Sequence, residues 1–408
     1  MANNNKHTGP NVPALRFPEF SGEWEKVSLQ DCCSGFSYGM NAPAKAYDGV
    51  NKYIRITDID ESTSIYKSDD TVSPDGLLSD EYLVKENDIL FARTGASTGK
   101  TYLYHKEDGR LFYAGFLIKA NVNNNCAPYF IFSQTKTQSY RRWVEIMSAR
   151  SGQPGINSQE YASFPLYIPS EKEQEKIALL LRGLDERIIV QSKIIEELKS
   201  LRSALSESLY CDCDSLQEVS FNDVGECYSG LSGKSSEDFG SGYPFVPYTN
   251  IFANDVIDEN KFEYVQIREN EAQNTVHYGD LLMTLSSETP EEVGIGSVYL
   301  GSESHLYLNS FAFGIHITRT DLVYPPYLSW LVSTKSFRKF ILPFAQGSTR
   351  YNLQKTDFMK AKYHFPTLER QKTIYKLLSG YSSKIANEEK ILDLYQFQKQ
   401  GLLEQMFI

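Results

Sequence analysis

The sequence repeats itself over a long distance. Residues 171–209 reappear as residues 368–406, a shift of 197 positions (368 minus 171), and each copy follows a proline. Solenoid repeats recur every 20–50 residues or so, which is far shorter than this separation. The repeat therefore predicts two large, related halves, each of which ends in a long helix.

Within each copy, positions spaced alternately by four and three residues are mainly apolar, which is the pattern of a coiled-coil seam. The polar interruptions coincide, because Gln191 matches Glu388 and Arg202 matches Lys399. Antiparallel pairing would bring Gln191 toward Lys399 or Arg202 toward Glu388. The alternative is two independent amphipathic helices, each packed on its own domain. The predicted apolar seam consists of Ile177, Leu181, Leu184, Ile188, Ile195, Leu198, Leu205, Ile374, Leu378, Tyr381, Ile385, Leu392, Tyr395 and Leu402.

The segments that precede the long helices also correspond to each other. Residues 45–122 hold short runs of Val, Ile, Tyr and Phe broken by Gly, Asn and Asp, which is typical of strands and turns. Residues 128–143 and 326–340 are predicted to be helices, since each has a proline near its start. The predicted fold class is α+β: two globular domains in pseudo-repeat, each followed by a long helix, with the two helices paired as an antiparallel coiled coil.

The predicted boundaries divide the chain into five parts. They are an N-terminal segment (1–24), a first globular domain (25–168), a central helix (169–210), a second globular domain (211–365) and a C-terminal helix (366–408). The start of the chain lacks an apolar signal core, and no apolar run approaches the roughly 18 residues that span a membrane. We therefore expect a cytoplasmic protein.

The net charge of −11 at first argues against a nucleic-acid partner, but the charges are segregated. Residues 25–92 carry six basic and thirteen acidic side chains, whereas residues 93–150 carry nine and three. Residues 211–318 carry three basic and eighteen acidic side chains, whereas residues 319–362 carry eight basic and two acidic side chains. Phosphate binding depends on a local basic face rather than on net charge, so each half offers a basic second part to DNA. The alternative is that these are scattered, solvated lysines and arginines.

Residues 95–101, Gly-Ala-Ser-Thr-Gly-Lys-Thr, look like a phosphate-binding loop but are one residue short of the required spacing. We predict instead a loop that follows a strand at residues 89–91. Its small residues allow close approach to a partner, and Arg93 and Lys100 could face phosphates or a base edge. The planar fork of an arginine suits a bidentate contact to guanine in the major groove.

The run Tyr324-Pro-Pro-Tyr327 is similar to the Asn/Asp-Pro-Pro-Tyr motif of adenine-N6 methyltransferases. Its first position lacks the amide or carboxylate that would bind an exocyclic amine, and no convincing cofactor loop accompanies it. The match to residues 127–129 predicts a helix start. The six histidines and six cysteines show no metal-ligand spacing. We therefore expect no catalytic residue and no metal site.

Two loops recur just before the long helices, at residues 150–157 and 345–352, with Gly and Asn at matching positions. Such residues suit either a tight structural turn or contact with nucleic acid. The candidate DNA-binding residues are Arg55, Arg93, Thr94, Ser97, Lys100, Arg150, Gln153 and Asn157 in the first half, and Ser286, Ser287, Ser348, Thr349, Arg350 and Asn352 in the second.

This layout resembles the DNA-specificity subunit of type I restriction–modification enzymes over nearly the whole chain. The resemblance is carried by residues 15–24, by residues 88–95, and most strongly by the proline-led helix starts at residues 169–177 and 366–374. It implies two target-recognition domains, each of which reads one half of a split DNA sequence. The long helices would act as the spacer between the half-sites.

The resemblance also implies partners. Two methyltransferase subunits would dock on the long helices, and motor–nuclease subunits would add cleavage. No cofactor would bind to this chain itself, and S-adenosylmethionine, ATP and Mg²⁺ would be used by the partner subunits. The alternatives are a non-catalytic coiled-coil interaction protein without DNA binding and a fused adenine-N6 methyltransferase or ATPase, which would need an intact cofactor motif.

Overall fold

A computed structural model describes residues 11–61, 63–150, 152–211 and 216–408. The first ten residues of the predicted N-terminal segment, Ser151 of the first recurring loop and residues 212–215 at the start of the second predicted domain lie outside the described residues. The chain forms two compact units. The first comprises the residues up to Lys193 together with Glu389–Ile408, and the second comprises Ile194–Glu388.

The globular part of the first unit is built from short strands and short helices. The strands are β1 (Glu25–Ser28), β2 (Cys33–Tyr38), β3 (Ala44–Ala46), β4 (Lys52–Ile54), β5 (Val72–Pro74), β6 (Asp88–Ala92), β7 (Thr101–Leu103), β8 (Leu111–Tyr113), β9 (Leu117–Val122) and β10 (Pro165–Ile168). The helices are α1 (Pro128–Gln134), α2 (Gln138–Ser148) and α3 (Ser158–Ala162), followed by the long helix α4 (Glu171–Cys211).

The globular part of the second unit has the same kinds of element. The strands are β11 (Leu216–Ser220), β12 (Gly225–Ser229), β13 (Phe239–Val246), β14 (Glu263–Val265), β15 (Leu281–Thr284), β16 (Ser286–Ser287), β17 (Gly296–Val298), β18 (Tyr307–Leu308), β19 (Ala312–Ile317), β20 (Ala345–Gln346), β21 (Tyr351–Leu353) and β22 (Lys362–Pro366). The helices are α5 (Phe221–Val224), α6 (Tyr248–Ala253), α7 (Pro325–Leu331), α8 (Lys335–Ile341) and α9 (Lys355–Lys360), followed by the long helix α10 (Leu368–Gln405).

The main sheets of the two units have the same topology. The strand order is β2-β9-β6-β7 in the first and β12-β19-β15-β17 in the second, and every pairing in both sheets is antiparallel. The first and last strands of each globular part also pair with each other, β1 with β10 and β11 with β22. The pseudo-repeat predicted from the sequence is therefore confirmed, and the two ends of each globular part lie side by side.

The helices predicted at residues 128–143 and 326–340 begin at prolines as expected, but each is two helices rather than one. Thr137 separates α1 from α2 and accepts a hydrogen bond from the backbone N–H of Tyr140 at 3.2 Å. Thr334 separates α7 from α8 and accepts from the N–H of Phe337 at 3.2 Å. A threonine that caps the next helix competes with continuation of the previous one, and this explains both breaks.

The long helices pack together antiparallel within each unit. In the first unit, Lys399 of α10 forms an ion pair with Asp185 of α4. In the second unit, Arg202 of α4 donates to the hydroxyl of Ser382 of α10 at 3.0 Å. Each basic interruption thus contacts a residue of the opposite long helix. All the predicted seam residues are buried or half-buried.

Each unit has its own main core. In the first, the end of α10 closes the core, because the Phe407 ring lies 5.3 Å from that of Phe130 and 6.3 Å from that of Trp24. Leu15 donates its backbone N–H to the carbonyl of Gln405 at 2.8 Å in the same region. In the second, Phe221 and Phe358 stack at 4.8 Å. Among the described residues, none of the helices is both long and apolar enough to cross a bilayer.

Candidate nucleic-acid interface

The loop after β6 packs against the first recurring loop. Thr94 forms a β-bridge with Gly155, and the N–H of Gly95 donates to the carbonyl of Pro154 at 3.0 Å. The loop itself is a short 3-10 turn at Gly95–Ser97. We call residues 93–98 and 152–157 the first loop pair. The predicted loop is confirmed, and it brings the candidates Thr94, Ser97 and Gln153 into one surface.

Arg93 lies at the edge of the first loop pair and is half-buried. Its guanidinium lies 4.8 Å from the centre of the Tyr38 ring, whose hydroxyl accepts a hydrogen bond from the N–H of Ser158 at 3.1 Å. The aromatic face holds the planar fork in place without occupying its donors. An arginine held in this way can bind a base edge or a phosphate.

Arg55 lines the same cavity as Arg93, which has a volume of about 620 Å³. Two carboxylates already engage its guanidinium: Asp58 at 2.8 and 2.9 Å, and Asp70 at 3.3 Å. The hydrogen bonds that Arg55 donates to Asp58 raise the pKa of Arg55 above its ordinary value. Because this charge is already compensated, the geometry favours a structural role for Arg55.

Lys100 points away from Arg93. It lines a different cavity of about 580 Å³, together with Lys136 and Arg141. Its ammonium lies 3.7 Å from the carboxylate of Glu61. The two cations that the sequence grouped in one loop therefore face different cavities of the first unit.

The remaining candidates of the first recurring loop make local contacts. Arg150 forms an ion pair with Glu160. Asn157 caps α3, because its side-chain oxygen accepts from the N–H of Glu160 at 2.9 Å. This geometry supports a structural role for Asn157 rather than a contact with nucleic acid.

The second unit repeats the loop pair with different residues. Ser286 in β16 lies opposite Asn352 in β21, and β21 also pairs with β20. The turn between β20 and β21, Gly347–Arg350, is exposed and contains Ser348 and Thr349. We call residues 285–288 and 347–352 the second loop pair.

Arg350 lies within hydrogen-bonding distance of the loop after β15. Its Nε donates to the hydroxyl of Ser286 at 3.3 Å, and its guanidinium lies 5.7 Å from the centre of the Phe311 ring. Ser287 donates to Glu292 at 2.8 Å. These side chains surround a cavity of about 520 Å³ next to Tyr248 and Phe252.

An exposed phenylalanine that the sequence patterns did not indicate lies beside each loop pair. Phe116 is 62% exposed and precedes β9, and Phe311 is 55% exposed and precedes β19. The Phe116 carbonyl accepts from the N–H of Arg93 at 3.0 Å, and that of Phe311 accepts from Leu285 at 2.9 Å. The matched positions of Phe116 and Phe311 in the repeat were the available signal. Exposed aromatic rings beside an arginine are suited to stacking on bases.

One cluster was not expected from the sequence. His277, Asp280 and His316 of the second unit place one ligand atom each within 4.8 Å of one another. Linear spacing missed the group because His316 lies in β19, 39 residues after His277. The expectation of no metal site rested on linear spacing, which does not detect side chains that the fold brings together.

Residues 21–200 and 214–394 each match the family described as type I restriction modification DNA specificity domain. The chain is 20% identical over 333 residues to the type I restriction enzyme MjaVIII specificity subunit of Methanocaldococcus jannaschii, with 76% of each chain covered. It is 28% identical over 138 residues to the type I restriction enzyme HindI specificity subunit of Haemophilus influenzae, with 32% of this chain and 29% of that protein covered.

Solved structures give the same fold. The S subunit of a type I restriction–modification system from M. genitalium superposes with a TM-score of 0.58 at 14% identity, and the alignment covers 97% of this chain and 99% of that one. A chain from a study of complex assembly and conformational transition in a type I system gives a TM-score of 0.56 at 15% identity, with 94% and 97% covered.

Proposed function

Because the chain belongs to the type I restriction modification DNA specificity family and carries the family's domain twice, we propose that it reads a two-part DNA target. Each globular domain contacts one half-site. The chain is a DNA specificity subunit with two target-recognition domains, and its long helices set the gap between the half-sites.

The observation that carries this proposal is the duplicated loop pair. In each domain, the loop that follows the second-from-edge strand, β6 or β15, packs on the segment just before the last short helix of that domain. An arginine and an exposed phenylalanine flank it in both domains, Arg93 with Phe116 and Arg350 with Phe311. The phenylalanines occupy matching positions, whereas Arg93 lies in the loop after β6 and Arg350 in the turn between β20 and β21. The same pair of loops thus presents different side chains in the two domains, as two readers of different sequences require.

The long helices offer docking surfaces for partner subunits. In the second unit, Leu198, Leu201, Leu377 and Tyr381 line a shallow apolar groove of about 690 Å³. In the first unit, Leu394 and Phe397 of α10 are 65% and 79% exposed. Apolar side chains exposed in such numbers on one helix mark interaction sites. In our proposal, two methyltransferase subunits dock here, and motor–nuclease subunits join them.

The chemistry belongs to these partners in our proposal. S-adenosylmethionine, ATP and Mg²⁺ are used by the methyltransferase and motor–nuclease subunits, while this chain supplies specificity and scaffold. A cytoplasmic location, where the DNA substrate lies, is part of the same proposal.

The test is to express the chain with its methyltransferase partner and to map methylated adenines across the genome. We expect one two-part motif with a fixed gap. Exchanging residues 25–168 for the equivalent domain of a relative should change one half-site and leave the other intact. If both half-sites changed, the domains would read DNA jointly. If methylation were normal but independent of both domains, the coiled-coil interaction protein would be the better description.

A further inference from the structure

The second domain contains a compact set of metal-binding groups at the start of its central strand. Nδ1 of His316 lies 2.9 Å from Oδ1 of Asp280 and 3.5 Å from Nδ1 of His277. His277 and Asp280 are joined by a tight turn, in which the N–H of Asp280 donates to the carbonyl of His277 at 3.1 Å. His316 extends from the neighbouring strand β19.

The first domain shows what this turn needs for folding alone. There Oδ2 of Asp88 accepts from the N–H of Lys85 at 2.7 Å, and Oδ1 accepts from the side-chain amide of Asn121 at 2.7 Å. In the second domain Oδ2 of Asp280 accepts from the N–H of His277 at 2.8 Å. His316 takes the place of Asn121. The same hydrogen bonds are thus made without any histidine, so the turn does not explain why both positions carry imidazoles.

The charge near the aspartate also differs between the two domains. In the first domain, the ammonium of Lys119 lies 3.8 Å from the carboxylate of Asp88. The matching position in β19 is Gly314, which carries no side chain, and the ring of Tyr228 fills the space beside it. The buried carboxylate of Asp280 therefore lacks the lysine that its counterpart has, and a bound cation would supply the missing charge.

We propose that His277, Asp280 and His316 bind a divalent transition-metal ion, and that this ion is Zn²⁺. Zinc bonds of about 2.0–2.2 Å to histidine nitrogen and carboxylate oxygen require ligand atoms roughly 3.3 Å apart, and the two measured separations lie on either side of that value. Binding displaces the proton between His316 and Asp280 to solvent, and the His316 ring then carries its proton on Nε2, so that Nδ1 and Oδ1 both coordinate the ion. His277 is exposed, which leaves a fourth position open to water.

The surroundings suit a metal ligand. The hydroxyl of Tyr228 donates to Oδ2 of Asp280 at 2.7 Å, which orients the carboxylate and leaves Oδ1 for the ion. The Tyr228 ring stacks on the His316 ring at 4.2 Å. Asp280 lies at the start of β15, whereas the second loop pair lies at its end, so the ion acts as a cross-link between β15 and β19.

The test is zinc binding by the purified full chain, freed of any histidine tag and of metal, measured by equilibrium dialysis. His316→Asn and His277→Lys rebuild the first-domain arrangement, so both variants should fold while bound zinc falls by about one ion per chain. Tyr228→Phe should weaken binding roughly 10–100-fold, as removal of an outer hydrogen bond to a ligand does. Mg²⁺ should not compete, because it prefers oxygen ligands.

A variant that gains zinc binding in the first domain provides a second test. Lys85→His, Lys119→Gly and Asn121→His together place the same groups around Asp88, and bound zinc should rise by about one ion per chain. Zinc binding that is the same in wild type and His316→Asn, or wild-type protein that binds no zinc, would overturn the proposal and leave a turn that serves folding alone. Neither result affects the DNA-reading function, which is measured separately by the methylated motif.

Discussion

The side chain of Gln371 in α10 accepts a hydrogen bond from the backbone N–H of Tyr324, the residue before α7, at 2.8 Å. It donates in turn to the carbonyls of Leu322 and Pro366 at 2.9 and 2.8 Å. Gln174 in α4 makes the matching bonds to Ala127 and Pro169 at 3.1 and 3.0 Å. This is why a glutamine is kept in both copies, and it ties each long helix to its own domain.

Gln371→Met should therefore destabilise the second unit without changing its volume. The variant leaves a buried N–H and two carbonyls unpaired, and each such group costs about 1–3 kcal/mol. Urea unfolding should show a lower midpoint, and Gln174→Met should do the same for the first unit. The exposed Gln398→Met serves as a control and should unfold like wild type. An unchanged midpoint for Gln371→Met would show that water replaces these bonds.

Arg93→Ala should weaken recognition of the first half-site only. We expect a loss of about 1–3 kcal/mol if Arg93 contacts a base, and relaxed preference at one position. Binding should be measured on a panel of DNA duplexes in which each position of both half-sites is varied in turn. Arg55→Ala is the informative comparison, since its charge is held by Asp58 and Asp70 and its loss should reduce stability more than specificity. Equal effects of Arg93→Ala at every position would assign it to a phosphate.

Phe116→Ala and Phe311→Ala should each reduce DNA binding through one domain. Stacking of an aromatic ring on a base contributes about 1–3 kcal/mol, and neither ring supports the core of its domain. The double variant should lose the sum of the two effects, because each ring belongs to a separate domain. Leu77→Ala, at a position that is 95% exposed and outside both loop pairs, is the control. If all three variants bound DNA like wild type, the exposed rings would have another partner.

Lengthening both helices tests the spacer. One heptad inserted between Lys193 and Leu198, and another between Lys390 and Tyr395, keeps the seam in phase and adds about 10 Å. At about 3.4 Å per base pair, the gap in the methylated motif should grow by roughly three base pairs while both half-sites stay the same. Inserting two residues instead should break the seam and abolish methylation. An unchanged gap in the heptad variant would mean that the helices do not set the spacing.

Lys136 should make stability depend on pH. Its ammonium donates to the hydroxyls of Ser64 and Thr101 at 2.7 and 2.6 Å, and burial, with the nearby charge of Lys399, lowers its pKa to about 7. The unfolded chain keeps this proton to about pH 10.4. Between these values the unfolded state binds more protons, so the free energy of unfolding rises with pH through this group.

In Lys136→Met that rise should be missing. Urea unfolding of wild type and variant between pH 7 and pH 10 should give curves that diverge as pH increases, with the variant flatter. The exposed Lys106→Met is the matched control and should follow wild type. Parallel curves for wild type and Lys136→Met would show that Lys136 keeps its proton in the folded protein.

The sequence alone predicted the architecture because the repeat of residues 171–209 encodes two helix seams and two domains at once. Details that depend on contacts distant in sequence could not be predicted. Thr137 and Thr334 end helices through side-chain bonds that compete with a continuous periodic pattern. The pairing of Lys399 with Asp185 is set by the packing of two helices rather than by any local motif.

The candidate interface was predicted in part for the same reason. The loops were identified from matched glycines and asparagines, and they do meet the loops after β6 and β15. Which cavity Arg93 or Lys100 faces depends on the strand that each one follows, and this cannot be read from their spacing in one loop. Phe116 and Phe311 escaped notice because an aromatic residue beside a strand ordinarily predicts core.

The contribution of Met406 and Phe407 to the core around Trp24 and Phe130 has a consequence for synthesis on the ribosome. At roughly 5–20 residues per second, Phe407 is made about 14–55 seconds after Phe130. The middle unit, Ile194–Glu388, is continuous in sequence, so its core needs no residue that is made after Glu388. The first unit, whose globular part is translated first, therefore completes its core last. Its apolar surface stays uncovered until the final turns of α10 have been made.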